Sequence, residues 1–137
     1  MAADLNLTPL KRAVDLLREG LERYQRDTGD IQIRDGLIQR FEIAYEQSHK
    51  TLRRYLRATS GSPDEFADAD FQFIIRSGNE RGLLLGEWAD WKTYRDLRAK
   101  TSHTYDEDVA LQVVGSIPAF LREAETLLER LQSRSRP

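Results

Sequence analysis
The chain has 137 residues, 39% of them hydrophobic and 32% charged, with a formal net charge of −2 and no cysteine. That length holds one domain with a genuine core and leaves no room for two, so residues 1–137 are read as a single domain. The composition excludes disulfides and thiolate metal sites, two histidines argue against a zinc site, and the mild acidity confines any nucleic-acid contact to a local patch.

The opening Met-Ala-Ala-Asp-Leu-Asn lacks the charged and apolar regions of a signal peptide. No apolar run approaches the roughly 20 residues needed to span a bilayer. A soluble, cytoplasmic protein is expected, away from membranes and without metal or cofactor.

Helix signals fill the chain in order. Thr8-Pro9 reads as an N-cap followed by proline at the first helical position, where its missing N–H costs nothing. Leu10, Val14, Leu17, Leu21 and Tyr24 then recur at spacings of three and four, as one apolar stripe ending near Thr28-Gly29. Asp30 is placed to cap a second helix over 31–59, roughly 40 Å long. Its stripe is Leu37, Phe41, Ala44, Ser48, Leu52 and Tyr55, widened by Ile38, Tyr45 and Leu56. On this helix His49 is expected at a solvated or edge position. Lys50, Arg53, Arg54 and Arg57 are expected as a solvated face, with an RNA or partner patch as the alternative.

Ser60-Gly61-Ser62-Pro63 breaks the pattern, and Ser62 with Glu65 predicts a capping box opening a third helix. That helix carries Phe66, Phe71, Phe73, Ile74 and Ile75 and dies out near Gly82. A fourth begins around Gly86-Glu87 and holds Trp88, Trp91 and Tyr94, its tryptophans expected in packing. Thr104-Tyr105-Asp106-Glu107 predicts a second capping box, with Thr104 as the N-cap of the last helix. Val109, Val113, Ile117, Phe120, Ala124, Leu127 and Leu131 form that helix's stripe, with a kink expected at Pro118 and a frayed tail over 134–137. The whole reads as an all-α protein, an antiparallel bundle of four to five helices.

Periodicity says nothing of activity; the stretch Arg98-Ala99-Lys100-Thr101-Ser102-His103-Thr104-Tyr105 does. Arginine, four residues, histidine, one residue, tyrosine is similar to the Arg-x4-His-x-Tyr pattern of HepT-like toxins of the HEPN superfamily. The wider string 101–107 resembles the related nucleotidyltransferase substrate-binding proteins. The resemblance covers length and helix layout over most of the chain; the specific motif covers eight residues and the flank to Glu107. One departure is Ala99, where many members carry a polar residue, usually asparagine.

Five residues along a continuous helix would point Arg98 and His103 some 140° apart, roughly, so a helix must end between them or the pair must meet across a dimer. With Thr104 as N-cap, His103 and Tyr105 would stand at the mouth of the last helix, whose free N–H groups attract phosphate. Arg98 is suited to clamp that phosphate, His103 to act as base, and Ser102 and Thr104 to support them. The acidic run Asp106, Glu107 and Asp108 works against phosphate there.

The resemblance implies a metal-independent endoribonuclease with Arg98 and His103 catalytic, paired with a minimal nucleotidyltransferase that attaches AMP to Tyr105 and silences it. One subunit offers no second acid for the leaving oxygen, which calls for a homodimer with RNA at a shared site. The alternative is a non-catalytic subunit that binds a nucleotide or another substrate for the transferase, which Ala99 and the acidic turn favour.

Overall fold
The computed structural model describes residues 5–67 and 69–135, and among these every regular element is helical. The elements are α1 (Thr8–Arg26), α2 (Ile31–Ala58), α3 (Asp64–Ala67), α4 (Phe71–Glu80) and α5 (Trp88–Lys100), then a 3-10 turn (Thr101–His103) and α6 (Glu107–Ser135). α1, α2, α5 and α6 make the bundle, each running opposite to the one before it. Gly20 of α1 lies against Leu37 and Arg40 of α2, and Arg40 Nη1 donates to the Leu16 carbonyl at 2.8 Å, the pairing of an antiparallel hairpin. α2 and α6 run the same way, since Arg34 meets Glu107 at their starts and Phe41 meets Phe120 further along. No helix among the described residues is long and apolar enough to cross a membrane.

The helix starts follow capping chemistry. Asp30 caps α2 as expected, its carboxylate accepting the Ile33 N–H at 3.0 Å. α1 begins one residue earlier than the Thr8 cap predicts: Leu7 is the N-cap, and the Thr8 N–H goes to Asn6 Oδ1 at 3.0 Å. The single third helix expected over 63–82 is two helices. Asp70 accepts the Phe73 N–H at 2.8 Å and starts α4 afresh. Arg53 Nη1 donates to the Phe66 and Ala69 carbonyls at 3.1 and 2.9 Å, satisfying the backbone that the break exposes. The Ser62–Glu65 capping box does not form; the Glu65 N–H bonds the Ser62 carbonyl instead. α6 continues through Pro118 without stopping. Of the tail expected to fray, Arg134 and Ser135 belong to α6, with Arg134 donating to the Arg81 carbonyl, while 136 and 137 lie outside the described residues.

The core gathers the predicted stripes. Phe41, Ala44 and Leu52 of α2, Trp91 of α5, and Val113, Ile117, Phe120, Leu127 and Leu131 of α6 are all fully buried. The tryptophans are packing residues: Trp91 lies inside, and Trp88 packs against the core with the Arg95 guanidinium 5.3 Å over its ring. His49 is half-buried, edge-on to Phe71 at 4.9 Å, where burial and then the nearby Arg53 push its pKa down.

One buried carboxylate organises the return loop between α4 and α5. Glu123 of α6 accepts the Leu85 and Gly86 N–H groups at 2.8 and 2.7 Å. Burial pushes its pKa up, and those two hydrogen bonds oppose the rise. A Cβ at Gly86 would fall 2.6 Å from Glu123 Oε1, so only glycine lets the loop come this close. Glu123→Ala is expected to leave both N–H groups without an acceptor and to cost about 2–4 kcal/mol, read as a lowered urea midpoint. Glu123→Gln, which keeps one carbonyl acceptor, should lose less.

Candidate functional site
The sequence motif lies at the corner where α5 gives way to α6. α5 ends at Lys100, so a helix terminus does separate Arg98 from His103. Arg98 sits in the last turn of α5 and turns towards α2. Its Nη1 lies 3.4 Å from Glu42 Oε2 and its Nε 3.4 Å from Glu46 Oε1. Nη1 also donates to Thr101 Oγ1 at 3.3 Å, while that hydroxyl donates to the Arg98 carbonyl at 2.7 Å. The Glu46 carboxylate lies off the axis of the Nε–H, which is buried without a hydrogen bond of its own. Two carboxylates therefore face one guanidinium, and a phosphate reaching Arg98 must displace them or add to them.

His103 closes the 3-10 turn and is exposed. Its ring stands edge-on to Tyr105 at 6.1 Å, and Tyr105 is 87% exposed. Among the described residues no hydrogen bond or ion pair joins Arg98 to His103 within one chain.

The cap of α6 differs from the expectation. α6 begins at Glu107, and Asp106 is the residue that caps it, accepting the Asp108 and Val109 N–H groups at 2.9 and 3.3 Å. Thr104 Oγ1 instead donates to the Thr101 carbonyl at 3.4 Å. The Glu107 carboxylate does not fold back to a cap. It bonds Arg34 Nη1 at 2.7 Å, because a guanidinium only 6% exposed needs a counter-charge more than a helix start needs a second acceptor. Arg34 in turn holds the Glu107 carboxyl below the usual carboxylate range. The helix mouth expected to attract phosphate is thus filled by the protein's own Asp106, and Tyr105 belongs to the turn before α6 rather than to its first turn. Ser102 is exposed, its hydroxyl 3.5 Å from the Ala99 carbonyl.

Sequence reasoning missed Glu42, Glu46 and Thr101. Glu42 and Glu46 are four residues apart and so share a helix face, a legible signal, but nothing local says that α5 packs its arginine there. Of the basic run on α2, Lys50 lies 3.9 Å from Glu46, Arg53 pins the α3–α4 junction, and Arg54 and Arg57 are exposed. Among the described residues no group of three histidine, cysteine or carboxylate side chains is placed to hold a metal ion.

Comparison with known proteins accords with this architecture. A family model described as nucleotidyltransferase substrate binding protein like matches residues 5–133. The chain is 40% identical over 100 residues to a Haemophilus influenzae protein named "Probable ribonuclease HepT", covering 73% of this chain and 68% of that one. A solved structure from the same organism, described as revealing the fold of a substrate binding domain of a nucleotidyltransferase, superposes with a TM-score of 0.85 at 34% identity, over 93% of this chain and 99% of that one. A crystal structure of a Thermus thermophilus protein superposes with a TM-score of 0.72 at 30% identity, over 90% and 98% of the two chains.

Proposed function
The chain belongs to the HepT-like, nucleotidyltransferase substrate-binding protein family, and from that premise we propose that it is the toxin of a HEPN–minimal nucleotidyltransferase pair, an endoribonuclease that its partner silences. The observation that carries this reading is the exposed His103–Tyr105 pair, set just past the helix terminus that separates it from Arg98. In the proposed reaction His103 takes the proton of a ribose 2′-hydroxyl, and the 2′-oxygen attacks the adjacent phosphorus. Arg98 stabilises the charge that develops on the phosphoryl oxygens. The 5′-oxygen leaves with a proton from the protonated His103 of the second copy, giving a 2′,3′-cyclic phosphate and a 5′-hydroxyl. A homodimer supplies that second acid and brings Arg98 of one copy towards His103 of the other.

Tyr105 is the proposed AMP acceptor. A protonated phenol is a poor nucleophile, and in this reading the imidazole of His103, whose ring neighbours that of Tyr105, takes its proton as the oxygen attacks. The phenolic oxygen attacks the α-phosphorus of ATP and pyrophosphate leaves. The bound AMP then puts negative charge where an RNA phosphate must come. Co-expression with the cognate transferase should yield AMP adducts on the peptide holding Tyr105, absent in Tyr105→Phe, by intact mass and peptide mapping. A tight complex of unmodified chain would overturn the acceptor role.

A second reading rests on specific observations. Glu42 and Glu46 already answer Arg98, and Asp106 already fills the mouth of α6. Both favour a non-catalytic subunit that presents a substrate to the transferase. A wild-type chain inert on structured and single-stranded RNA decides for this reading.

A further inference from the structure
Arg34 lies in the first turns of α2 and is 6% exposed, yet among the described residues Glu107 is its only ion-pair partner. The pair is lopsided. Arg34 Nη1 reaches Glu107 Oε1 at 2.7 Å, but the Glu107 side chain is 62% exposed, and the Arg34 Nε is buried without a hydrogen bond. A buried guanidinium with one solvated partner and one orphaned N–H adds little to stability, because its lost hydration offsets most of the attraction. An apolar side chain of similar length would fill the same space without that penalty. The pair does one thing that packing alone would not. It ties the first residue of α6 to a helix 73 positions earlier in the chain.

Glu107 stands two positions past Tyr105 and four past His103. Among the described residues those two side chains make no hydrogen bond or ion pair, only the edge-on contact with each other, so the backbone aims them. The turn that carries them is held by the Asp106 N–H on the His103 carbonyl at 3.1 Å and by Thr104 Oγ1 on the Thr101 carbonyl at 3.4 Å. Both bonds stay within residues 101–106. The bond from Glu107 to Arg34 is the one that fastens the α6 end of this turn to α2. The same helix holds Arg98 through Glu42 and Glu46, which follow Arg34 by eight and twelve residues, about 12 and 18 Å along the axis. One helix thus references both halves of the motif. We propose that Arg34 is a positioning residue, which through Glu107 sets the His103–Tyr105 turn in a fixed place relative to Arg98. Its effect on cleavage rests on the ribonuclease reading; its effect on the turn does not.

Arg34→Met tests this, because it removes the buried charge and leaves behind only a hydrated carboxylate. The thermal transition should stay in place or rise. In RNA cleavage kcat should fall about 10–10²-fold with KM unchanged, the loss expected when a distant change shifts reacting groups by about 1 Å. Arg34→Lys keeps a cation facing Glu107 and should recover part of that loss, whereas a residue that only filled space would be replaced equally well by methionine. Glu107→Ala should lose activity on the same scale but also lower the transition, because the guanidinium is then buried unpaired. Amide hydrogen exchange reads the turn without any substrate. The N–H groups of Asp106, Val109 and Ala110, which close the turn and the start of α6, should exchange about tenfold faster in Arg34→Met, the fold-change of one lost charge-assisted bond. Unchanged exchange at those amides overturns the proposal, even where a wild type inert on RNA has already removed the ribonuclease reading. With an active wild type, cleavage by Arg34→Met at the wild-type rate overturns it too. So does a transition lowered as far by Arg34→Met as by Glu107→Ala, which is the behaviour of an ordinary stabilising pair.

Discussion

His103→Ala is expected to remove RNA cleavage, with a loss of about 10²–10⁴-fold, the usual contribution of a positioned general base. The imidazole is exposed at the end of a short turn and holds no buried contact, so its removal should leave the melting transition in place. Arg98→Ala should lose activity on a comparable scale, about 10²–10³-fold, because the charge developing on phosphorus then has no guanidinium to meet it. Arg98 also ties α5 to α2 through Glu42 and Glu46, but at about one-third exposure that ion pair is worth only about 1 kcal/mol or less. A large loss of activity beside a small loss of stability is therefore the signature of a catalytic role. Incubation with RNA in chelator, followed by end-group analysis, should show 2′,3′-cyclic phosphate from the wild type and none from either variant. Arg54→Ala, an exposed change on α2, should cleave like the wild type. Cleavage that survives His103→Ala would place the chemistry elsewhere.

Phe120→Ala is expected to cost about 3–5 kcal/mol, the range for truncating a buried phenylalanine, out of a typical total of about 5–15. Phe120 is fully buried on α6, where four aromatic rings surround it. It meets Tyr94 edge-on at 5.1 Å, Phe41 at 5.2 Å and Trp91 at 5.9 Å, with Tyr45 tilted at 6.1 Å. Those rings come from α2 and α5, so the cavity would open where three helices meet, and none of the three can shift to fill it without uncoupling the others. At about 4 °C per kcal/mol or somewhat less, the transition should fall by roughly 10–20 °C. Phe120→Leu, which keeps most of the volume, should cost only about 1–1.5 kcal/mol. A loss below about 1 kcal/mol for alanine would mean that the aromatic cluster repacks freely.

Residue order alone determined that this chain is helical, where its long helices run and which faces they bury. Helix stripes are written at spacings of three and four, and burial of a stripe needs only some partner, so Phe41, Val113 and Phe120 were legible as core. Asp30 was legible as a cap because an N-cap bonds groups three residues away. The motif residues were legible as residues, since Arg98, His103 and Tyr105 are named by spacing. Their surroundings were not.

Only the tertiary structure decided that Arg98 meets Glu42 and Glu46, residues more than 50 positions earlier in the chain. It decided too that Asp106, and not Thr104, caps α6. Both can accept the orphan N–H groups; what separates them is that Glu107, the other half of the Thr104 box, is drawn to the buried Arg34 of α2. The break between α3 and α4 was hidden for the same reason, because its exposed carbonyls are satisfied by Arg53 from another helix. Short-range hydrogen bonds obey rules of spacing. The competition among several acceptable partners is settled by which charged group the packing buries, and that depends on elements distant in the chain.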